Sequence, residues 1–531
     1  MDCSGRFRLY CYFMNILDYA IIILYIGGFL YLGYRFKNQS DKNDYYLGGR
    51  SFGWFPLALS TAATQLSAVS FISAPAFVGL KEGGGMIWLT YELAVPLAMM
   101  FLMVVLVPTF YKSGIVSVYE FLERRFDSST RVLLSIVFQV SRAFGTGVMI
   151  YTVAIILESV MEIPMWQSIV LIGIVTIIYS LQGGMKAVVY GDMLQMIILF
   201  IGIIVCFGFG LHYLGGWSSF LEKVDTERLT AVDFSSFGFS GDEFGFWPML
   251  VGGFFLYASY YGTDQSQVQR LLSASSEKTM KQTLLANGVI RFPITLAYCI
   301  MGLVIGTLVM SKTEFISLIP SDKPDRMIPI FIRDYLPNGV IGILIVAIFS
   351  AAMSSLSSAI NSLSAASVED LFARGKNLDE RQYMKLSKLT ALFWGAVCVI
   401  VAFFVGDIAD TVIEAINKVG SVSFGPILAI FVVAILVKKI NGVGANVGLL
   451  TGVALNVYMW LAVPDIFWFW WNAIGAVVAF VVAYVVSILR PSSSGAQISI
   501  EPINFKQKSV YILLAFFVFI VIVSVLFPYF F

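Results

Sequence analysis

Four serines fall within five positions of one long apolar segment, at Ser354, Ser355, Ser357 and Ser358. Spacings of three and four residues place Ser354, Ser357 and Ser358 on one face of a helix. Their hydroxyl oxygens, like backbone carbonyls, are hard donors that suit a hard cation such as sodium. Small residues also let membrane helices pack closely and hydrogen-bond across the contact. The serines alone therefore leave an ion site and a packing role open.

Asp192 lies about six residues into another apolar segment, within GGMKAVVYGDMLQ. A carboxylate at membrane depth is costly unless it is paired or bound to a cation. One interpretation is that Asp192 joins the serines around a cation. The other is that it lies at the membrane interface and caps a helix.

Two further charged residues lie in apolar surroundings, Arg142 in SIVFQVSRAFGTG and Glu92 in IWLTYELAVP. A guanidinium binds a carboxylate through two parallel hydrogen bonds, so Arg142 could receive an anionic solute. Alternatively, Arg142 pairs with Glu92 or another acid and holds the helices together. Tyr260, in a group with Tyr257 and Tyr261, could stack on a ligand or serve as packing.

The composition sets the environment in which these residues act. The 531 residues are 58% hydrophobic and only 13% charged, whereas soluble domains are about one quarter charged. The chain is therefore expected to be an integral membrane protein. A net charge of +1 predicts no nucleic-acid partner. One histidine, His212, and five scattered cysteines give no transition-metal or disulfide pattern, and no GxxxxGK[ST] loop predicts nucleotide hydrolysis. We expect no enzyme, and oligomeric state is not set by the sequence.

Fourteen apolar segments approach the roughly 20 residues that span a bilayer. They are 15–34, 51–77, 84–110, 130–158, 165–182, 186–211, 246–264, 280–311, 338–370, 385–405, 410–437, 442–462, 466–488 and 508–530. Residues 1–14 fit a short N-terminal tail, or alternatively Met14 is the true start of the chain. Segment 15–34 is predicted to be a peripheral first helix, and 442–531 to hold three C-terminal helices.

The Lys and Arg residues of the short loops indicate an orientation. They concentrate on one side, whereas the opposite short loops, 159–164, 406–409 and 463–465, carry none. With an even number of spans, both termini are predicted to lie outside a plasma or inner membrane.

Segments 51–77 and 246–264 are polar for membrane spans, and the second is rich in glycine. Each opens a group of five spans, 51–211 and 246–437. An odd number of spans inverts the second group relative to the first. Inverted repeats with interrupted helices are the plan of many secondary transporters, in which freed backbone groups bind ions or solutes.

Four stretches together resemble the sodium/solute symporter family, which includes sodium/galactose, sodium/iodide, multivitamin and bacterial sialic acid transporters. They are DYYLGGRSFGW at 44–54, GGMKAVVYGDMLQ at 183–195, YYGTDQSQVQR at 260–270 and SSLSSAINS at 354–362. The resemblance covers about 18–439. It implies an all-α membrane protein with about 14 transmembrane helices and a LeuT-like 5+5 inverted repeat.

The resemblance also implies positions for ions and solute. The main sodium site of the family matches Ala63, Leu66, Ala351, Ser354 and Ser355. A second sodium site, known in sialic acid transporters, matches Ser354, Ser357, Ser358 and Asp192. Solute positions fall near Gln65, Ser67, Ser70, Glu92 and Tyr260. The carboxylate-binding arginine of sialic acid transporters aligns with Gly145, one turn from Arg142, so the resemblance leaves the solute open.

We therefore expect a symporter that imports a small organic solute, such as a sugar, a sugar acid or another carboxylate, with Na⁺ as its coupling ion. A transporter of the same fold driven by protons through Asp192 is one alternative. The serines disfavour it, because hydroxyls have no useful proton affinity. A channel or membrane sensor is a weaker alternative, since broken helices in two halves and the lack of an appended soluble domain disfavour it.

Overall fold

The computed structural model describes residues 14–36, 42–241, 243–376, 378–491 and 504–531. Apart from Met14, the predicted tail lies outside these residues. Within them the chain is mostly helical. The longer helices, in chain order, are α1 (Ile16–Arg35), α2 (Trp54–Gln65), α3 (Ala68–Gly79), α4 (Met86–Tyr111), α5 (Val118–Arg125), α6 (Ser128–Met161), α7 (Met165–Leu214), α8 (Phe246–Thr263), α9 (Gln265–Leu272), α10 (Glu277–Met310), α11 (Met327–Tyr335), α12 (Val340–Phe372), α13 (Glu380–Ala402), α14 (Val412–Ser421), α15 (Phe424–Leu436), α16 (Gly442–Ala462), α17 (Trp468–Leu489) and α18 (Lys508–Leu526). Short helices Lys42–Leu47, Trp217–Lys223 and Thr313–Ile316 lie in the connections.

Ten helices of the described part are long and apolar enough to cross a membrane, or up to twelve if two bent pairs each count as one span. Two of the fourteen predicted spans fall short of that test. The apolar part of the predicted 165–182 span is the short helix Met165–Ile178. The predicted 246–264 span is α8, which carries several polar residues. The chain is thus a multi-pass membrane protein, while the count of fourteen spans stays a prediction.

The predicted span 51–77 is divided into α2 and α3, which meet at an angle of 55°. Leu66 leaves helical geometry with φ −82° and ψ 75°. Ser67 then starts α3 by accepting a hydrogen bond from the Val69 N–H at 3.2 Å. Serine and threonine side chains compete for backbone hydrogen bonds, which favours a helix end at this polar stretch.

A second interruption separates α8 from α9 at Asp264. The Asp264 carboxylate caps α9 by accepting from the Ser266 N–H at 2.8 Å and from the Ser266 hydroxyl at 2.5 Å. The interruption that the sequence predicts within 246–264 is not found there, because α8 is continuous and the break follows its last residue. A third bend, of 40°, lies between α14 and α15.

Helix α7 contains a sharp turn at Gly184, whose φ of 54° and ψ of −162° are non-helical. An unbroken helix of this length would extend roughly 75 Å, against a hydrocarbon core of about 30 Å. Glycine adopts this backbone conformation without a steric penalty. The turn therefore divides α7 into two membrane segments, as the two predicted spans 165–182 and 186–211 require.

The serine-rich helix α12 lies among α1, α6 and α7. Its first turn is capped by Asp18 of α1, which accepts from the Gly339 and Gly342 N–H groups at 2.7 Å each. Four N–H groups at a helix start lack partners within the helix, and they favour a negative charge. Asp18 thus joins the peripheral helix to the start of the helix that carries the serines.

Helix α3 crosses α10 where glycines leave no room for side chains. A Cβ atom built on Gly306 would lie 2.4 Å from Gly79 Cα, and one on Gly302 would lie 2.6 Å from Pro75 Cα. Both neighbours are backbone atoms, so neither helix can yield locally. The close approach holds α3 in place after the break at Leu66.

We predict that Gly306→Ala separates α3 from α10 and destabilises the protein by about 1–3 kcal/mol, the usual range for overpacking. Thermal unfolding of the purified protein in detergent measures the loss. Gly208→Ala in α7 is the matched control, because a Cβ there meets nothing within 4 Å. Equal unfolding temperatures for the two variants would contradict the packing argument.

Candidate ion and solute site

The break between α2 and α3 faces the middle of α12. The Ser355 hydroxyl donates to the Thr64 carbonyl at 3.1 Å and approaches the Ala63 carbonyl at 3.4 Å. The Tyr260 hydroxyl of α8 also reaches the Thr64 carbonyl, at 3.4 Å. The last carbonyls of a helix have no partners within the helix. Backbone oxygens of α2 and a hydroxyl of α12 therefore converge on the break.

The positions predicted for the main sodium site surround this junction. Ala63 and Leu66 end α2, and Ala351 and Ser355 lie on the facing part of α12; all four are buried. Ser354 lies on the same helix, but its side chain is outside the described part of the structure. Carbonyl and hydroxyl oxygens form a donor set for a hard cation. The residues therefore fit a sodium ion.

Asp192 of α7 is almost fully buried and has an arginine partner. Its Oδ2 atom accepts from Arg270 Nη2 at 2.7 Å and from the Ser60 hydroxyl at 2.5 Å. Arg270 Nε also donates to the Ser60 hydroxyl at 2.8 Å. Both members of the ion pair are 1% exposed. The structure thus gives Asp192 an ion-pair partner from α9 and places it within α7, where it does not cap the helix.

The same guanidinium connects Asp192 to the serine-rich helix, because Arg270 Nη2 also hydrogen-bonds the Ser358 hydroxyl. Ser357 is buried beside Ser358 on α12. Asp192 and Ser358, predicted to share a second ion site, are therefore brought together, with a cationic side chain between them. Sequence reasoning missed Arg270, which was counted with the basic loop residues. Its place six residues after the interruption at Asp264 was the available signal.

A cavity of about 100 Å³ lies beside the break. It is lined by the end of α2, by α3, α4, α6, α8, α10 and α14, and by the start of α15. All of the predicted solute residues line it: Gln65, Ser67, Ser70, Glu92, Arg142 and Tyr260. Residues from several separate segments thus share one cavity next to the carbonyls of α2.

Arg142 reaches this cavity from α6, and its acid neighbour is Asp264. The nearest oxygen of Asp264 is 3.7 Å from Arg142 Nη1, beyond hydrogen-bond distance. Arg142 Nε and Nη2 are buried and have no hydrogen-bond partner among the described residues. Arg142 also lies against Tyr260, with 5.8 Å between the guanidinium carbon and the ring centre. The suggested pairing of Arg142 with Glu92 is not found.

Glu92 is bound to a different arginine. Its Oε1 accepts from Arg291 Nη2 at 2.7 Å and from the Tyr257 hydroxyl at 2.9 Å. Tyr257 is stacked on Tyr91, with ring centres 4.4 Å apart. Because Arg291 already neutralises Glu92, the Glu92 carboxylate does not require Arg142 as an ion-pair partner. Sequence reasoning treated Arg291 as structural and did not place it in the cavity lining.

This arrangement of interrupted helices around a buried polar cavity is that of a secondary transporter with a LeuT-like fold. Residues 45–452 match the model of the sodium:solute symporter family. The chain belongs to this family, and it is a sodium-coupled solute transporter.

Similar proteins agree with this assignment. The chain is 30% identical to the human sodium/iodide cotransporter over 446 residues, covering 83% of this chain and 68% of that protein. It is 30% identical to sodium-coupled monocarboxylate transporter 1 of Xenopus laevis, covering 83% and 71%. A solved Na⁺-coupled sialic acid symporter, in a substrate-bound outward-open state with a novel Na⁺ site, superposes with a TM-score of 0.80 at 26% identity, covering 91% of this chain and all of that one. A nucleobase-cation-symport-1 family transporter shares the fold, with a TM-score of 0.54 at 12% identity, covering 88% and 97%.

We predict that Asp192 and Arg270 depend on each other for stability. Removing one partner of a buried ion pair leaves an uncompensated charge, which costs about 3–5 kcal/mol. Asp192→Ala and Arg270→Ala should each lower the unfolding temperature strongly, and the double variant should recover part of the loss. Thermal unfolding in detergent of the original protein, the two single variants and the double variant completes this double-mutant cycle. Additive losses would show that the two side chains are not coupled in the folded protein.

Proposed function

We propose that the protein imports a small anionic solute, most simply a short carboxylate, together with sodium. The observation that carries this proposal is the pair of unsatisfied donors on Arg142 in the wall of the cavity. A buried donor without a partner costs about 1–3 kcal/mol, and more when the group is charged. An anion in the cavity would accept from both nitrogen atoms and remove this cost.

The environment of Arg142 supports a ligand role over a purely structural one. Asp264 satisfies the start of α9 through Ser266, and it stays out of hydrogen-bond reach of Arg142. Arg291 is bonded directly to Glu92 through Nη2, although its Nε and Nη1 also have no hydrogen-bond partner among the described residues. The difference between the two arginines is therefore the acid that Arg291 holds at hydrogen-bond distance and Arg142 does not. With two acids and two arginines, the charged lining of the cavity is formally neutral. An anion that enters with one or two sodium ions therefore needs no further countercharge from the protein.

The relatives point to the same class of solute. One transports iodide, another transports monocarboxylates and the structural relative transports sialic acid, and all three solutes are anions. A carboxylate would also use the two-pronged geometry of a guanidinium better than a halide.

Sodium is proposed to bind at two places. The first is the junction of Ala63, Leu66 and Ala351 with Ser354 and Ser355. The second combines Ser354, Ser357 and Ser358 with Asp192, where Arg270 must share the carboxylate with the ion. Each sodium that moves inward contributes about 2.3 kcal/mol per 100 mV of membrane potential, in addition to its concentration gradient.

The protein is further proposed to lie in the cell membrane with both termini outside. In that orientation the loops around 81–85, 312–339 and 403–411 face outward. Solute and sodium would enter from that side, and alternating access would release them at the basic cytoplasmic face.

Uptake into proteoliposomes tests the proposed function directly. A sodium gradient should drive accumulation of a radiolabelled short carboxylate, and a proton gradient without sodium should not. Accumulation driven by the proton gradient alone would instead favour the proton-coupled alternative.

We predict that Arg142→Gln raises the KM for an anionic solute by about 10- to 100-fold, the worth of a hydrogen bond to a charged group. Asp264→Asn is the matched control, since asparagine also caps helices and the variant removes only the acid neighbour. It should change KM much less. Equal losses in the two variants would indicate that Arg142 serves only to pair with Asp264.

We predict that Ser358→Ala lowers the Hill coefficient for sodium-dependent uptake toward one, because it removes an oxygen from the proposed second site. Ser362→Ala, one turn further along α12, is the control. The Ser362 hydroxyl is buried and donates to the Ala359 carbonyl of its own helix at 2.8 Å. An unchanged coefficient in Ser358→Ala would count against the second site.

A further inference from the structure

A second cavity, of about 680 Å³, lies on the face proposed to be outside. Helix α14 separates it from the solute cavity. Val412, Ala415 and Lys418 line the outer cavity, whereas Ile416 and Asn417 line the solute cavity. Movement of α14 away from its neighbours would therefore connect the two cavities.

The start of α14 is held by side chains from two other elements. The Val412 N–H donates to Asp325 Oδ2 at 2.8 Å, and the Ile413 N–H donates to the Ser73 hydroxyl at 2.9 Å. Asp325 lies in the loop before α11, and Ser73 lies on α3, the second half of an interrupted span. The N–H groups at a helix start need such partners. We call Ser73, Asp325 and these two N–H groups the latch.

Lys81, just beyond α3, adds an ion pair at the same place. Its ammonium group lies 3.2 Å from Asp410 and 3.5 Å from Glu414 at the start of α14. These contacts, like those of the latch, are polar. They can be exchanged for water when the elements separate.

Asp325 differs from the other carboxylates around the outer cavity. It is 5% exposed, its Oδ1 atom has no hydrogen-bond partner, and no ion pair to it is found in the described part of the chain. Burial raises the pKa of Asp325 to about 6, against hydrogen bonds from Ser73 and the Val412 N–H that lower it. The side chain of an aspartate exposed to water has a pKa of about 3.9.

No side-chain cation compensates Asp325 within the described residues. Arg326 pairs with Glu158 of α6 at 2.6 Å, and Arg333 with Asp334 on α11. Helix α3 carries no charged residue, and Lys81 beyond it pairs with Asp410 and Glu414. The other titratable or charged side chains around the outer cavity are Tyr151, Asp322, Lys323, Asp407 and Lys418. Carboxylates outnumber cations in this lining, so the start of α14, through the Val412 N–H, is what favours a negative charge on Asp325, and burial opposes it.

We propose that the latch closes the outer path to the solute cavity and that a proton on Asp325 holds it closed. In the closed arrangement Asp325 is buried, and opening exposes it to water. The closed arrangement binds the proton more tightly, because its pKa is the higher one, so acidification from about pH 7.5 toward about pH 5 favours closure. The proton regulates access in this scheme and does not drive transport.

Cysteine labelling tests the proton-dependent closure without any solute, so its outcome is independent of the proposed function. Ile416→Cys is introduced into a chain with Cys3→Ser and Cys11→Ser, and a membrane-impermeant maleimide is added at equal pH on both sides. At about pH 7.5 the protein with Asp325 should label up to about 100-fold faster than the Asp325→Asn variant, which imitates the protonated form. At about pH 5 the ratio should fall to about tenfold, because the open form, with its exposed carboxylate, takes up the proton only below about pH 4. Comparison at one pH cancels the pH dependence of the thiol itself.

Two more variants complete the test. Asp322→Asn removes a neighbouring carboxylate of the same cavity and should keep the original pH response. Ser73→Ala removes the acceptor of the Ile413 N–H, so the latch should weaken and labelling should be faster at every pH. A labelling-rate ratio between the protein with Asp325 and the Asp325→Asn variant that stays constant over this pH range would overturn the proposal. If Asp325→Asn does not fold, a labelling rate of the protein with Asp325 that does not fall more steeply on acidification than that of Asp322→Asn, together with an unchanged rate in Ser73→Ala, would overturn it instead.

Discussion

The structure depends on an interruption of the backbone at Leu66, inside a segment that must cross a membrane. In hydrocarbon, every backbone polar group needs a partner within the protein. The break removes those partners from the last carbonyls of α2, and Ser355 and Tyr260 approach them from α12 and α8. The helices around the break are therefore arranged to supply oxygen ligands and hydroxyls. An ion that takes the place of these hydrogen bonds would connect α2 to α12 directly.

The buried charged side chains around this break lie in pairs of opposite sign. Asp192 is matched by Arg270, Glu92 by Arg291, and Arg142 has only a distant neighbour in Asp264. Arg291 keeps Nε and Nη1 without a hydrogen-bond partner among the described residues, but only Arg142 lacks an acid within hydrogen-bond distance. Two tight pairs hold α4, α7, α9 and α10 together, while the loosely paired arginine remains available to a ligand. Structural and binding roles are thus separated among residues of the same chemical type.

Much of this could be predicted from the sequence because membrane spans and interrupted helices have local signals. The proximity of Asp192 and Ser358 and the six cavity residues followed from local pattern and from the family resemblance, whereas the break at Asp264 lies after the segment in which the sequence predicts it. The pairing of charges could not be predicted in the same way. Glu92 and Arg291 are 199 positions apart, and Asp192 and Arg270 are 78 apart, so only the packing of the helices selects these partners. The sequence predicts fourteen spans, but two of these segments do not meet a hydropathy and length criterion for a membrane span. Helix α8 is too polar, and the apolar segment before Gly184 is too short.

We propose that sodium at the break and an anion in the adjoining cavity stabilise each other's binding. Thermodynamic linkage makes such coupling reciprocal. Isothermal titration calorimetry of the purified protein can measure the Kd of a short carboxylate without sodium and at saturating sodium, and the Kd of sodium without and with the carboxylate. Each ligand should lower the Kd of the other by the same factor, about 5- to 150-fold. A carboxylate that binds equally well with and without sodium would contradict it.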